Sequence, residues 1–491
     1  MTKNSSAKLL CSLLGCAVFF FCVGHPHAAA APSPTPNGTS PMSPAEVQSA
    51  KERYERQKLG FFVHYVPGLT VDSNGAKPSI DELATTLDAR QFAQDMADFG
   101  VEYVIFTVMH LKARTLYPSE VNKRWRDDKR QDKKEGKTYS DADVIDRVAA
   151  ELSKKNIDLH LYVHPVDGHD FSKQDQNLTG WNDCSNDHKV WNDYQNELFG
   201  ELCARYGRRI AGLWYDGKFA HTKKEPKHEC IQQERLRKTV LAHNPALALV
   251  ANVSLVRTSN PFPDWKAADY RAWEISHPSK GVLSFSAAAT GIRDQDSTTW
   301  PATKEQVAMI TGRNWWAVDK KENARYTPET LFRYLVLQAS ASRSGGLAIS
   351  AGCFPGTAAE NSNGNIWEGN FRDTMLALRK LVDPLAESIK NTNAGKAYPT
   401  SDHETLEKKE WGVSTESPDG KFVFLHIVKP PATKTLPIGP TADGSTLGGS
   451  AIHLNSGKPV SFKKTPAGYE ISLPEGTAWD ALDTVIKVQR L

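Results

Sequence analysis

Histidine and carboxylate side chains stand at or just after the ends of short apolar segments in this sequence. They are His64, His110, His164, Asp167, Asp216 and Glu274. Imidazole and carboxyl groups can transfer protons, and a carboxylate can also attack a substrate and form a covalent intermediate. Each of these residues, taken alone, is more often an ordinary loop residue. The set becomes a candidate site only if the fold gathers the segment ends on one face.

The apolar segments alternate with helix-like segments, which is typical of repeated strand–helix units around a parallel sheet. The strand-like segments are Leu59 to Val66, Val101 to Met109, Leu159 to Val166, Ile210 to Tyr215, Leu247 to Val253 and Gly346 to Ser350, with two more expected between Trp273 and Ser286. Helix-like segments include Arg90 to Phe99, Asp143 to Lys155, His188 to Tyr206 and Thr330 to Ala341. About eight strands predict a closed (β/α)8-type barrel over residues 46–393, with the polar residues on its C-terminal face.

The pattern changes near Ala397 to short runs in which apolar and polar residues alternate. These runs are Lys421 to Ile427, Ser450 to Leu454, Gly468 to Leu473 and Thr484 to Val488, separated by Gly, Pro and Asp. Such alternation indicates antiparallel strands. We therefore predict an α/β chain in which the barrel is followed by a small C-terminal antiparallel β-sandwich over residues 397–491.

The N-terminus has the features of a secretory signal peptide. Lys3 and Lys8 precede the apolar run Leu9 to Gly24, and four alanines follow at Ala28 to Ala31. This pattern predicts a signal peptide over residues 1–31 and an exported protein, periplasmic or secreted. Residues 32–45 are rich in Pro, Ser and Thr and predict a disordered linker. We expect no membrane span in the mature chain.

The small net charge of the sequence does not favour a partner that is strongly charged. Sixty Lys and Arg nearly balance 57 Asp and Glu, so electrostatics give no reason to expect a nucleic-acid partner.

Four cysteines remain after the signal peptide: Cys184, Cys203, Cys230 and Cys353. They allow three complete disulfide pairings, among which the sequence does not choose. The oligomeric state is left open.

Several motifs, read in order, resemble those of the α-L-fucosidase family from about Glu52 to the C-terminus. They are Leu59 to Tyr65, Phe106 to His110 with Leu116 to Ser119, Leu213 to Gly217, Asp269 to Glu274, Ser344 to Gly352 and Ile389 to Thr392. The Leu213-Trp214-Tyr215-Asp216-Gly217 segment is the most specific match and is similar to the segment that carries the family's nucleophile. In the Asp269 to Glu274 segment, only Asp269, Tyr270 and Glu274 match.

The resemblance implies a retaining glycosidase acting on an oligosaccharide or glycoconjugate. Asp216 would be the nucleophile and Glu274 the acid/base, although Asp294, Asp296 and Glu368 are alternative carboxylates for the second role. A retaining pair lies ~5–5.5 Å apart, compared with ~6.5–9.5 Å for an inverting pair. His64, His110 and His164 would bind sugar hydroxyls. Trp214 and Tyr215 could line the pocket, but adjacent strand residues usually point to opposite faces.

The sequence departs from the family where the second strand ends. The family's Lys-His-His-Asp-Gly-Phe corresponds here to Met109, His110, Leu111, Lys112, Ala113 and Arg114. Leu111 thus replaces a sugar-binding histidine, and Ala348-Ile349-Ser350 replaces the usual Leu-Leu-Asn. These changes favour a different sugar, such as an α-L-galactoside or a pentose glycoside, as an alternative substrate. A carbohydrate-binding pseudoenzyme is the alternative outside enzymes.

The segment from His164 to Asp170 contains two histidines and two aspartates that could bind a metal ion. A zinc site needs at least three fixed protein ligands, and this segment offers no obvious third one. A barrel loop that binds hydroxyls explains the same residues. We therefore expect no metal and no cofactor.

Overall fold

The computed structural model describes residues 41–183, 188–217, 231–252, 267–275, 305–340, 344–361, 364–398 and 411–491. The predicted signal peptide and residues 32–40 of the predicted linker lie outside the described residues, as do Cys184, Cys230, Asp294 and Asp296. In the part of the chain that the structure describes, no helix is both long and apolar enough to cross a membrane.

Eight parallel strands among the described residues form a closed barrel, in the order β1-β2-β5-β6-β7-β8-β9-β10 and back to β1. Their bounds are β1 Leu59–Val63, β2 Tyr103–Thr107, β5 Asp158–Val163, β6 Gly212–Tyr215, β7 Ala248–Asn252, β8 Tyr270–Ile275, β9 Glu305–Ile310 and β10 Ser344–Ser350. Strand β1 closes the ring because Gly60 pairs with Tyr103 of β2 on one side and Ala348 of β10 on the other. A small hairpin, β3 Met109–His110 and β4 Arg114–Thr115, follows β2.

Helices connect and surround the barrel strands. They are α1 Pro44–Arg56, α2 Ile80–Thr86, α3 Ala89–Phe99, α4 Glu120–Asn122, α5 Val144–Ser153, α6 Lys173–Thr179, α7 Lys189–Tyr206, α8 Gln233–His243, α9 Pro328–Ser340, α10 Phe371–Val382 and α11 Ala386–Ile389. Local sequence sets their ends: Asp88 caps α3 by accepting from the Gln91 N–H, and Gly100 ends it in a left-handed conformation.

Apolar side chains pack in two layers around the barrel wall. Phe62, Tyr162 and Trp214 belong to the cluster inside the barrel, together with Tyr103 and Val250. Their strand neighbours, such as Val63 and Leu161, belong to the larger cluster between the strands and the surrounding helices. This alternation follows from the strand pleat, which sends successive side chains to opposite faces.

The C-terminal region consists of antiparallel sheets. The described strands form one sheet in the order β11-β12-β13-β19-β15-β16 and another in the order β14-β18-β17. Their bounds are β11 Asn393–Ala394, β12 Gly412–Glu416, β13 Phe422–Ile427, β14 Thr435–Ile438, β15 Leu447–His453, β16 Lys458–Pro459, β17 Ser461–Thr465, β18 Gly468–Ser472 and β19 Thr484–Arg490. Leu425 and Ile471 lie in the core between the sheets, whereas Phe424 joins the barrel's outer apolar layer.

The predicted fold class, a barrel followed by antiparallel β-sheets, is confirmed. The placement of two barrel strands between Trp273 and Ser286 was wrong. Strand β8 begins earlier, at Tyr270, and β9 lies later, at Glu305–Ile310. Strand β9 begins with the polar pair Glu305-Gln306, so its sequence gives only a weak strand pattern.

Candidate active site

The predicted site residues stand at the C-terminal ends of the barrel strands. His64 follows β1 directly, His110 ends β3 just beyond β2, and His164 follows β5. Asp216 follows β6, and Glu274 lies near the end of β8. Because the barrel strands are parallel, these ends all open on one rim.

One amide group joins the two carboxylates at this rim. Asn252, the last residue of β7, lies between the strands that carry Asp216 and Glu274. Its Nδ2 donates to Asp216 Oδ1 at 2.8 Å and to Glu274 Oε1 at 2.8 Å. The two carboxylate oxygens therefore cannot be farther apart than twice that distance. This limit agrees with the ~5–5.5 Å of a retaining pair and lies below the ~6.5–9.5 Å of an inverting pair.

Asp216 accepts two further hydrogen bonds. The Tyr162 hydroxyl donates to Asp216 Oδ2, and the Gly217 N–H donates to Asp216 Oδ1 at 2.7 Å. Gly217 has φ of +85°, and a Cβ there would lie 2.4 Å from Val166 and 2.7 Å from His164. Glycine is therefore required at this turn. Fixed donors of this kind hold a carboxylate in one orientation and compensate its charge.

Glu274 has the properties of a carboxylic acid that keeps its proton. Burial raises its pKa well above the ordinary value, and the neighbouring charge of Asp216 raises it further, while the bond from Asn252 acts in the opposite direction. Two adjacent carboxyl groups in different environments can thus hold different protonation states. Glu274 is therefore suited to act as the acid, and the three donors that surround Asp216 suit a carboxylate that acts as a nucleophile.

His64 is held as a neutral imidazole. Burial lowers its pKa well below the ordinary value, and the nearby His110 and His164 lower it further. Its Nδ1 lies 3.0 Å from the Thr107 hydroxyl, which itself donates to the Val63 carbonyl at 2.9 Å. The hydroxyl proton is therefore already used, so Nδ1–H of His64 must be the donor. The lone pair on Nε2 is left to accept a hydrogen bond.

Two further histidines contact a buried carboxylate. His110 Nδ1 lies 3.5 Å and His164 Nδ1 lies 3.3 Å from Asp167 Oδ1, and the imidazole rings stack with centroids 5.3 Å apart. Burial raises the pKa of Asp167, but the two histidines and the Ala113 N–H outweigh that effect and lower the pKa to about 2. Burial lowers the pKa of His110, but the Asp167 carboxylate raises it, and the pKa lies above its ordinary value.

The adjacent aromatic residues of β6 point in opposite directions. Trp214 lies inside the barrel and stacks on Tyr162 with ring centroids 5.5 Å apart. Tyr215 lies in the outer layer and packs on Phe199 of α7 at 6.1 Å. The structure therefore brings Trp214 beneath the carboxylate pair and places Tyr215 away from it, because the strand pleat allows only one of them to face inward.

Three residues of the rim were not predicted as site residues: Tyr162, Asn252 and Trp315. Tyr162 is two residues before His164 on β5, so strand alternation from that histidine could have identified it. Asn252 is a polar residue at the end of a predicted strand, which is the same signal that identified Asp216. Trp315 follows β9, with its ring 5.8 Å from His64, and the misplacement of that strand hid its position.

The segment that departs from the family forms the turn of the small hairpin. Leu111, Lys112 and Ala113 all have positive φ, at 49°, 64° and 45°. The Lys112 ammonium binds Glu135 at 2.5 Å, so its charge is paired with that carboxylate. Leu111 is half-buried, with its side chain beside Gly68. An apolar side chain and a paired lysine therefore replace two polar residues of the family motif.

Of the alternative carboxylates and the cysteines, Glu368, Cys203 and Cys353 lie within the described residues. Glu368 accepts the Val318 and Asp319 N–H groups at 2.7 and 3.0 Å, so it anchors the segment that follows Trp315. Cys203 and Cys353 are buried thiols that form no disulfide within the described residues. Burial raises the pKa of both thiols, which makes them poor nucleophiles.

Comparisons with known proteins agree with this architecture. The family model described as "Alpha-L-fucosidase" matches residues 82–351. A curated relative, alpha-L-fucosidase 1 of Arabidopsis thaliana, is 26% identical over 179 residues, which are 34% of this chain and 30% of that protein. The match thus spans less than a third of the plant protein's length.

Solved structures resemble the chain over nearly its whole length. One is an alpha-L-fucosidase of Bacteroides thetaiotaomicron, described as a trapped covalent intermediate in complex with 2-fluoro-fucosyl fluoride. It has a TM-score of 0.60 and 17% identity, and the match covers 92% of this chain and 97% of that one. Alpha-L-fucosidase isoenzyme 1 of Paenibacillus thiaminolyticus has a TM-score of 0.60 and 15% identity, with 91% and 99% covered. At these identities the likeness concerns the fold.

Proposed function

Because the chain belongs to the α-L-fucosidase family, we propose that it is an exported, retaining glycoside hydrolase that releases a terminal fucose or a closely related sugar. The observation that carries the proposal is the single Asn252 amide, which donates to both Asp216 and Glu274. It keeps the two bonded carboxylate oxygens within twice 2.8 Å of each other, which supports the ~5–5.5 Å spacing of double displacement. The raised pKa of Glu274 gives the pair the unequal protonation that the reaction needs.

In the first step, Asp216 attacks the anomeric carbon while Glu274 donates its proton to the glycosidic oxygen. The bond between the anomeric carbon and that oxygen breaks, and an ester between the sugar and Asp216 forms. Glu274 becomes ionised as its proton leaves with the alcohol. The Tyr162 hydroxyl, which donates to Asp216, keeps the attacking carboxylate oriented.

In the second step, the ionised Glu274 takes a proton from water, whose oxygen attacks the anomeric carbon. The ester to Asp216 breaks, and the sugar leaves with its original anomeric configuration. The structurally similar fucosidase of Bacteroides thetaiotaomicron is described as a covalent intermediate. That description supports the proposal of an ester on Asp216.

Sugar hydroxyls would be bound by the histidines of the rim. His64 offers an acceptor on Nε2, because its Nδ1–H is used by Thr107. His110 and His164 stand next to each other on the same rim. Trp315 approaches His64 edge to face and offers an aromatic surface to the apolar side of a sugar ring. Export is proposed from the signal-peptide pattern of residues 1–31.

A second candidate is the same mechanism on another sugar, such as an α-L-galactoside or a pentose glycoside. The observation that favours it is Leu111, a half-buried apolar side chain where the family has a sugar-binding histidine. Loss of one designed hydrogen bond costs ~1–3 kcal/mol of discrimination, which is enough to change the preferred sugar. A panel of aryl glycosides with the purified protein separates the two candidates.

The mechanism is tested with Asp216→Asn and Glu274→Ala, with Asp373→Asn on the exposed face of α10 as a matched control. Asp216→Asn should lower turnover by several orders of magnitude with an intact fold, because Asn is nearly isosteric but cannot form the ester. Glu274→Ala should lose most activity on poor leaving groups and recover with azide, giving a glycosyl azide of retained configuration.

The same anion applied to Asp216→Gly should give the inverted azide. The two roles would be wrong if Asp216→Asn kept wild-type turnover on every glycoside of the panel. They would be exchanged if the two rescued products had the opposite configurations. A protein that is folded and inactive on the whole panel, yet binds glycans, would be the carbohydrate-binding pseudoenzyme instead.

A further inference from the structure

Three buried ligand atoms converge on one point beside the carboxylate pair. They belong to His110, His164 and Asp167, each of which places a ligand atom within 4.8 Å of the other two, and Nδ1 of each histidine faces Asp167 Oδ1. Asp167 is fully buried, and the side chain of His164 is 8% exposed. The histidine nitrogens lie 3.5 and 3.3 Å from Asp167 Oδ1, close enough for ion pairs but not in the direction of a hydrogen bond. The three buried atoms therefore have charge partners but no well-directed hydrogen bond.

The 3.5 and 3.3 Å separations of the two histidine nitrogens from Asp167 Oδ1 are the ones expected around a shared metal ion. Ligand atoms at ~2.0–2.2 Å from a tetrahedral zinc ion are ~3.3–3.6 Å from each other. Buried polar atoms without a partner are costly, and a metal ion is one group that would satisfy all three at once. We propose that His110, His164 and Asp167 form a binding site for one divalent transition-metal ion of the zinc type, with a fourth position open to water.

The donor set selects the class of metal. Two imidazoles and one carboxylate suit Zn²⁺ and the neighbouring transition ions, whereas Mg²⁺ and Ca²⁺ prefer oxygen ligands. His110 is the third fixed ligand that the segment from His164 to Asp170 lacks by itself. It comes from the hairpin after β2, which the barrel places beside the end of β5.

The residues around the three ligands hold them in place. The second oxygen of Asp167 accepts the Ala113 N–H at 3.0 Å, which leaves Oδ1 free to face the histidines. The Ala113 carbonyl accepts from Asn122 at 2.9 Å, and the Lys112 carbonyl accepts from Arg126 at 2.8 Å. Outer partners of this kind orient metal ligands and contribute to metal affinity.

Metal binding has a consequence for substrate recognition, and this consequence rests on the proposed function. A metal ion on Nδ1 leaves the proton of each imidazole on Nε2. His110 and His164 then act as fixed hydrogen-bond donors at the rim where His64 presents an acceptor. The metal ion would therefore set the donor pattern that sugar hydroxyls meet without itself entering the bond cleavage.

Metal binding is measured without substrate, so its outcome is independent of the glycosidase proposal. Full-length mature protein without a histidine tag is freed of metal by a chelator and titrated with Zn²⁺ by calorimetry. Binding of Co²⁺ is followed by its visible absorption, which is strong when the ion is tetrahedral. We expect one equivalent of Zn²⁺ and a tetrahedral Co²⁺ spectrum in the wild type.

The variants His164→Gln, His110→Gln and Asp167→Asn should each weaken Zn²⁺ binding by more than the ~10–100-fold that loss of an outer partner costs. His169→Ala and His243→Ala are matched controls and should bind like the wild type. His169 tests the neighbouring group of Asp167, His169 and Asp170, and His243 is exposed at the end of α8. Far-ultraviolet circular dichroism verifies the fold, and the partly exposed His110 supplies a result if Asp167→Asn does not fold.

The proposal is overturned if the wild type binds no Zn²⁺ at micromolar concentrations. It is also overturned if the ligand variants bind as tightly as the wild type, or if His169→Ala or His243→Ala weakens binding as much as they do. An octahedral Co²⁺ spectrum would reject the tetrahedral arrangement.

Discussion

Asn252→Ala is the substitution that tests the carboxylate pair most directly. It removes the amide that donates to both Asp216 and Glu274, and it leaves the Tyr162 and Gly217 donors on Asp216. The Asn252 bond lowers the pKa of Glu274, because a donor stabilises the ionised form. Its loss should therefore raise that pKa further.

A hydrogen bond to a charged group contributes ~1.5–3 kcal/mol, and one pKa unit corresponds to ~1.36 kcal/mol. The pKa of Glu274 should then rise by up to ~1–2, and kcat/KM at the optimum should fall by ~10–100-fold as orientation is lost. Glu274 must be protonated to act as the acid, so the alkaline side of the pH profile marks the loss of its proton. In the wild type that side should lie well above ~4.3, the value of an ordinary glutamate. In Asn252→Ala, that side should move to higher pH.

The assay is kcat/KM against pH for an aryl glycoside that the wild type hydrolyses. Asn244→Ala is the matched control, because this buried asparagine also donates two hydrogen bonds, to Gly207 and Ile210, before β7 begins. The control should lose stability without moving the pH profile. The reasoning is refuted if the profile of Asn252→Ala stays in place, or if Asn244→Ala moves it equally.

Three other substitutions test neighbouring parts of the structure. Tyr162→Phe removes the hydroxyl donor to Asp216, so kcat should fall by ~10–100-fold with little change in Tm; an unchanged kcat would remove Tyr162 from the mechanism. Leu111→His should raise activity on a simple aryl fucoside, while Leu111→Ala should not, and equal activities would show that Leu111 has no role in specificity. Asp175→Asn leaves the buried Arg126 without its carboxylate and Arg130 with Asp127 alone, and it should lower the free energy of unfolding by ~3–5 kcal/mol, measured by urea denaturation.

The Asp175 variant also has an expected pH dependence. Burial raises the pKa of Asp175, but the two arginines outweigh that effect and hold the pKa below its ordinary value. A lowered carboxyl pKa contributes stability that is present above the unfolded value of ~3.9 and is lost as pH falls through the folded pKa. Tm of the wild type should therefore fall more steeply than that of Asp175→Asn below about pH 4. Parallel curves would contradict this assignment.

The barrel could be predicted because its signals are local. Strand β5 is a short apolar run, and helix α5 begins at a residue that caps it, Asp143, so both are visible in the sequence. Strand β9 could not be placed, because two of its six residues are charged or amide side chains. In the C-terminal region, β12 and β17 were missed for a similar reason: Gly, Ser, Thr and Lys dominate them.

The sequence could predict a site residue only when a histidine or carboxylate stands at the end of a predicted strand. Asp216 and His164 do so. Asn252 also ends a predicted strand, but an amide there does not by itself suggest a role, because its importance depends on two carboxylates that approach it from the neighbouring strands β6 and β8. The contact of His110 with Asp167 depends equally on the left-handed turn at Leu111, Lys112 and Ala113. Three consecutive non-glycine residues in that conformation are not predicted by any local preference, since each costs free energy and persists only when its surroundings impose it.

The same turn explains how the pocket can differ from the family while the carboxylate pair is kept. Asp216, Asn252 and Glu274 follow or end strands whose positions the barrel fixes through its hydrogen-bonded register. Leu111 lies instead on a hairpin whose backbone is held by Arg126, Asn122 and Asp167. Under the proposed function, an exchange at position 111 would change which hydroxyl is recognised without moving Asp216, Asn252 or Glu274. Specificity and chemistry would then be carried by separately supported parts of one rim, so a change of substrate would not require a change of mechanism.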